Sequence, residues 1–232
     1  MAKKPQKKKT ELIVALDTQT LRGAQMLLKE LKGLASCYQI GLPLFVAEGP
    51  KAVELVMKNG GQVFLDLKLH DINQAVKDAV RSAVRMGVYA LSLHLSAGGR
   101  MLEAAAGVHP RPRLWGITVL TSMDHEDFAA LGYSRSVRDM AGDLAKLGLK
   151  HRMDGIICSG HEAVMLRSRL GSGAHLIVAG IRPANMETHE QKRTITPAKA
   201  AELGADFIIV GRPITEAPHP ASAVEKILKE IK

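Results

Sequence analysis

The chain reads as a single-domain α/β protein of the (β/α)8 TIM-barrel class, on three observations. Eight short apolar runs alternate with stretches of helical periodicity. No Pro- or Gly-rich linker divides the 232 residues. The polar groups suited to chemistry collect where the apolar runs end, which in such barrels is the active-site rim. Regular alternation predicts parallel strands joined by right-handed crossovers. Eight units at this length favour closure over an open sheet. The first strand is not followed by a GxGxxG, which argues against a dinucleotide fold.

Residues 12–16 are the first expected strand, an unbroken apolar run that ends at Asp17. Residues 21–34 have helical spacing, and 37–40 form the next strand, closed by Gly41. Pro50 suits the first position of a helix over 50–58, and Asn59-Gly60-Gly61 ends it. Strand 63–67, helix 72–86 and strand 89–93 follow, and Gly98-Gly99 opens a helix that runs to residue 106. In the second half, 114–120 is a strand, and 125–147 is helical material broken at Leu131-Gly132-Tyr133. Strand 155–158 precedes helix 161–170, and strand 176–179 leads into a polar loop over 182–194. Helix 197–203, strand 207–210 and a closing helix over 221–231 complete the pattern.

Hydrophobic residues make up 46% of the chain and aromatics 3%, so the core is expected to be aliphatic. The net charge of +9 owes much to Lys3, Lys4, Lys7, Lys8 and Lys9. With Pro5 and Gln6 and no apolar periodicity, residues 1–10 are expected to form a disordered basic tail, and 11–232 the barrel catalytic domain. The tail lacks the apolar middle of a secretory signal. No RNA-binding motif with interleaved aromatics follows it, so nucleic acid is not an expected partner. Cys37 and Cys158 lie far apart in apolar runs, which suits buried free thiols in a reducing cytoplasm. No run approaches bilayer-spanning length, so a membrane is not expected either. His125, His151, His161, His189 and His219 have no metal-ligand spacing, and no metal site is expected. Met26, Met57, Met86, Met101 and Met165 fall on apolar helical faces and are expected in the core.

The segment Phe64-Leu65-Asp66-Leu67-Lys68-Leu69-His70-Asp71 places charge at the end of an apolar run. Asp66 and Lys68, two apart on a strand, point to one face. Burying a carboxylate and an ammonium there is expensive unless they serve each other or a ligand. A plain ion pair would account for a lone Asp-x-Lys. Here Asp71 follows, and the other strand ends carry Asp17, Gln39, His94, Thr118, Thr121, Ser159, Arg182 and Arg212. So many polar groups on one rim imply an active site. His70 is expected to pack behind it.

Two loops suggest the ligand. Ala179-Gly180-Ile181-Arg182-Pro183 and Val210-Gly211-Arg212-Pro213-Ile214-Thr215 have nearly the same form. Either could be a Gly-Pro turn with a surface Arg. Seen at both of the last two strands, they point to phosphate, which barrels of this class often hold there. Glycine lets backbone N–H groups approach the anion, and Arg supplies a fork of donors.

Together the barrel, the Asp-x-Lys-x-x-Asp segment and the twin loops resemble the orotidine 5′-phosphate decarboxylase family. Phe-Leu-Asp-Leu-Lys-Leu-His-Asp-Ile is a highly specific signature of that family, and similarity extends over nearly the whole chain after the tail. The resemblance implies cofactor-independent decarboxylation of orotidine 5′-phosphate to UMP, without metal, by a cytoplasmic homodimer. By this resemblance Lys68 donates the proton to C6, Asp66 lies beside the substrate carboxylate, and Asp71 enters from the neighbouring subunit. Asp17 would bind a ribose hydroxyl, Thr121 the pyrimidine and Arg212 the phosphate, to which the reading of the twin loops adds Arg182 and Gly211. Gln191 would belong to the loop that closes over it.

The family usually has Lys at Gln39, alternating with the aspartates and touching the ribose. Gln39 keeps a hydrogen bond but loses the charge, so a weaker catalyst is expected. The family's Ile-Pro-Asn-Thr-Val reads Ile72-Asn73-Gln74-Ala75-Val76 here, without the hydroxyl that reaches the ribose across the dimer. Two other readings stay open. One is a UMP-like nucleotide-binding protein with little turnover. The other is a sugar-phosphate decarboxylase or aldolase of the same superfamily, for which the shorter Asp-x-Lys-x-x-Asp would also serve.

Overall fold

Runs of β-branched and aliphatic residues make the strands, and their alternation sorts side chains to two faces. The computed structural model describes residues 9–171, 173–184, 186 and 192–232. Its strands are β1 (Glu11–Ala15), β2 (Cys37–Gly41), β3 (Gln62–Leu69) and β4 (Ala90–His94). They continue as β5 (Arg113–Ile117), β6 (Gly155–Ser159), β7 (His175–Ala179) and β8 (Phe207–Val210). Each pairs in parallel with the next, and β8 returns to β1 through Glu11↔Phe207 and Val14↔Val210, which closes the barrel.

The helices of the first half are α1 (Leu21–Glu30), α2 (Leu42–Glu48), α3 (Pro50–Lys58), α4 (Asn73–Met86) and α5 (Gly99–Ala106). Those of the second half are α6 (His125–Ala130), α7 (Val137–Lys150), α8 (Gly160–Leu170), α9 (Pro197–Glu202), α10 (Arg212–Thr215) and α11 (Pro220–Glu230). Local chemistry sets their ends. Thr20 caps α1, Ser136 caps α7, and Gly87 ends α4 in the left-handed conformation at φ 70°. Helices α2 and α10 are additions to the sequence reading. Both start at glycines with Pro in the first turn, a pattern also read as a loop.

The core has two layers. Leu12, Val14, Ile40, Leu65, Leu91 and Ile156 face the helices in the larger, aliphatic layer. Ile13, Phe64, Trp115, Ile177 and Phe207 fill the barrel interior. That inner layer corrects the expectation of an aliphatic core. The Trp115 ring centroid lies 4.6 Å from Phe64 and 5.3 Å from Phe207, so a few aromatics are concentrated where strands converge. Cys37 and Cys158 are buried free thiols, as expected. The methionines divide: Met101 is buried, whereas Met26 and Met57 are exposed. Among the described residues no helix is long and apolar enough to cross a membrane.

Candidate active site

At its C-terminal end β3 leaves the regular strand pattern. It pairs with β4 through Leu65↔Leu91 and then Leu69↔Leu93, so it advances four residues while β4 advances two. The surplus bulges around Lys68, whose φ of 53° is left-handed. A side-chain-bearing residue held there is strained by about 1–3 kcal/mol, and such residues cluster at functional sites. Asp66 and Lys68 do meet, as the sequence suggests, but across a bulge rather than along a regular pleat.

Asp66 is the hub. Its side chain is 7% exposed, and that of Lys68 is 32% exposed. Lys68 Nζ donates to Asp66 Oδ2 at 2.6 Å, and Gln39 Nε2 donates to the same oxygen at 2.5 Å. Ser92 Oγ donates to Asp66 Oδ1 at 2.6 Å and accepts the Lys68 backbone N–H at 2.9 Å. Ser92 therefore fills both roles that the bulge opens: it satisfies a displaced backbone donor and orients the carboxylate. Sequence reasoning missed it. The available signal was a hydroxyl on the inward face of an apolar strand, between Ala90 and His94. Gln39 Oε1 is buried and has no hydrogen-bond partner.

His94, half-buried at the end of β4, has its ring 5.6 Å from that of His70. Burial lowers its pKa below 6.5, and the nearby His70 and Lys68 act in the same direction. His70 corrects an expectation: it is exposed on the mouth side beside His94, not packed behind the site.

On the opposite side, Asp17 at the end of β1 faces the loop after β8. An alanine Cβ at position 211 would lie 2.0 Å from Asp17 Oδ2, so only glycine permits this approach. Crowding by protein raises the Asp17 carboxyl above its ordinary 3.8, opposed by the Arg212 charge and a hydrogen bond from the Arg212 backbone. Asp17 nonetheless retains solvent access at the open mouth, which limits the energetic weight of that shift.

The twin loops differ in form. Gly180 has φ 74°, and Ile181 makes an isolated bridge to Ile195, whereas Gly211 leads into α10. Arg182 is buried, with Nη1 donating to the Ile181 carbonyl at 2.9 Å. A cavity of about 700 Å³ takes in Arg182 and Arg212 on one side and Ser222 and Lys226 of α11 on the other. Neither Asp66 nor Lys68 lines it.

Thr121 is half-buried in the turn after β5. Asp71 is exposed and its Oδ1 accepts the Ile72 N–H at 2.6 Å; within one chain it does not join Lys68. Gln191, and residues 1–8 of the basic tail, lie outside the described residues.

The closed eight-stranded barrel has counterparts among known proteins. A profile of the Orotidine 5′-phosphate decarboxylase / HUMPS family matches residues 10–227. The chain belongs to that family. It is similar to the orotidine 5′-phosphate decarboxylase of Teredinibacter turnerae, at 41% identity over 225 residues that cover 95% of this chain and 97% of the relative. The protein of that name from Saccharophagus degradans is 39% identical, covering 95% and 94%. Among solved structures, that of orotidine 5′-phosphate decarboxylase from Lactobacillus acidophilus superposes with TM-score 0.84 at 29% identity, covering 96% of this chain and 99% of that one.

Proposed function

We propose that this chain decarboxylates orotidine 5′-phosphate to UMP, a step of pyrimidine biosynthesis, without a cofactor. Family membership and relatives of that name at about 40% identity support the reaction. The observation that carries the assignment of residues is the Lys68 ammonium, 2.6 Å from a nearly buried Asp66 at the barrel mouth.

In this reading the C6–carboxylate bond breaks with its electron pair left on C6, and CO2 departs. Lys68 Nζ delivers a proton to C6 and regains one from water. Ring resonance stabilises that carbanion poorly, so the protein must present charge already oriented for it in a site shut off from water. Asp66, held by three donors, cannot swing away from the substrate carboxylate, and their repulsion eases as CO2 leaves. Asp17 takes a ribose hydroxyl and Thr121 the pyrimidine. Gly211, Arg212 and Arg182 hold the phosphate, with Gln191 in the loop over it. Phosphate binding away from C6 then supplies energy for closing the site.

Asp71 serves the partner's site in a homodimer. Leu42 and Val46, just after β2, and Ile72, next to Asp71 after the neighbouring strand β3, are exposed apolar residues that a second copy would cover. Buried free thiols at Cys37 and Cys158 suit a reducing cytoplasm.

One observation favours a second reading. Gln39 meets Asp66 with an amide where the family usually places an ammonium, leaving the array one cation short. A UMP-binding protein with little turnover would tolerate that. The assay is loss of orotidylate absorbance with time, for the native chain and Lys68→Ala. Turnover abolished by Lys68→Ala supports the enzyme. Tight UMP binding without turnover supports the binder, and Mg²⁺-dependent activity on a sugar phosphate alone rejects both.

A further inference from the structure

Three loops at the barrel mouth meet on one buried side chain that the chemistry above does not use. Arg193 is 7% exposed. Its Nη1 donates to Glu162 Oε1 at 2.5 Å and to Ser159 Oγ at 3.4 Å. Its Nη2 donates to the carbonyls of Leu120 at 2.8 Å and Val119 at 3.2 Å. Glu162, 3% exposed, is held from behind: its Oε2 accepts from the hydroxyl and backbone N–H of Ser159, the capping box of α8. One guanidinium thus ties the exit of β5, directly before Thr121, to the end of β6 and to the segment that returns from β7.

Neighbouring contacts run along the same line. Lys192 donates to Asp124 at 2.6 Å and Asp127 at 3.2 Å, the two acids of the α6 capping box. Ile195 lies over Gly160, where an added Cβ would come within 2.2 Å of Ile195 Cδ1. Exposed pairs such as Lys192–Asp124 contribute little. The Arg193 fork differs. It is desolvated, it has two carbonyls besides its acid, and a point charge could not reproduce it.

We infer that Arg193, with Glu162 behind it, is a positioning residue that sets the Thr121 segment against the β7 side of the mouth. It tunes nucleotide binding without touching nucleotide. Only that consequence rests on the proposed nucleotide site; the mechanical link does not.

The test uses the full chain and two variants. Arg193→Lys keeps a cation for Glu162 but cannot also hold both carbonyls, and Glu162→Gln keeps the shape and removes the charge. Melting curves establish that at least one is folded. Amide hydrogen exchange without ligand is expected to quicken about tenfold or more over 119–123, with β1–β8 unchanged. UMP titration is expected to show about tenfold weaker binding for Arg193→Lys, and no further loss when Thr121→Ala is added, as coupled groups behave. Unchanged exchange over 119–123, or losses that multiply in the double variant, overturns the inference. Should the native chain bind no UMP, the nucleotide reading falls while the exchange arm still decides the link.

Discussion

Gln39 and Lys68 donate to the same oxygen, Asp66 Oδ2, from 2.5 and 2.6 Å. A neutral amide and a cation therefore divide the negative end of the array. Changing Gln39 to Lys adds the second cation at a site already within reach of Asp66. Turnover of orotidine 5′-phosphate is expected to rise on the order of a hundredfold, the scale of one well-placed electrostatic group. Orotidylate absorbance measures it. A Gln39→Lys protein no faster than the native chain would show that the amide is not the deficit.

Ser92 supports both partners of the ion pair. Ser92→Ala leaves Asp66 Oδ1 and the Lys68 N–H without the hydroxyl that serves them. Two groups stranded by one deletion are expected to lower stability by about 1–3 kcal/mol. Because the loss also frees the Asp66 carboxylate to turn, kcat should fall more than KM rises. Denaturant melts with steady-state kinetics separate the two effects.

In the proposed site, Asp17 is expected to lower stability while contributing to binding. Its folded-state pKa is raised by crowding, so as pH climbs past 3.8 the unfolded carboxyl ionises first. Above that range the ionised Asp17 opposes folding. Asp17→Asn is therefore expected to melt higher than the native chain at pH 7 and to melt alike at pH 3. Its UMP affinity should drop about tenfold, the worth of one hydrogen bond to a charged group. A variant that gains stability without losing UMP would remove Asp17 from the site.

His94 works in the other direction along the pH axis. Burial, His70 and Lys68 lower its folded-state pKa below 6.5, so the unfolded imidazole takes up a proton first as pH falls. Its contribution is absent near pH 8, and the folded state loses stability below about 6.5 until the folded imidazole also protonates. Melting temperature against pH shows that decline, and His94→Gln should flatten it. An unaltered profile would assign the decline to other groups.

Asp71 and Lys68 are apart within one chain, so each site is expected to draw on two. Lys68→Ala and Asp71→Ala proteins should each be inactive. Mixed and allowed to exchange subunits, they should regain activity, because one of the two sites in a heterodimer has both residues intact. A mixture that stays inactive while the subunits demonstrably exchange removes Asp71 from the partner's site.

The barrel was legible in the order of residues because strand and helix periodicities are local. Apolar runs such as Leu12–Leu16 and the glycines after α3 and α4 state the alternation unaided. The same holds for Asp66, Lys68 and Arg212, whose places at strand ends follow from counting along each run. What lay beyond counting depends on neighbours brought together by closure. The bulge at Lys68 exists relative to the register of β4, and Ser92 matters because it lies opposite that bulge. The linking role of Arg193 was not legible within its own loop, since its partners are 31 to 74 residues away. Periodicity tells each residue which face it takes; only the closed sheet, by setting which strands and loops lie side by side, decides which polar groups must satisfy one another out of water.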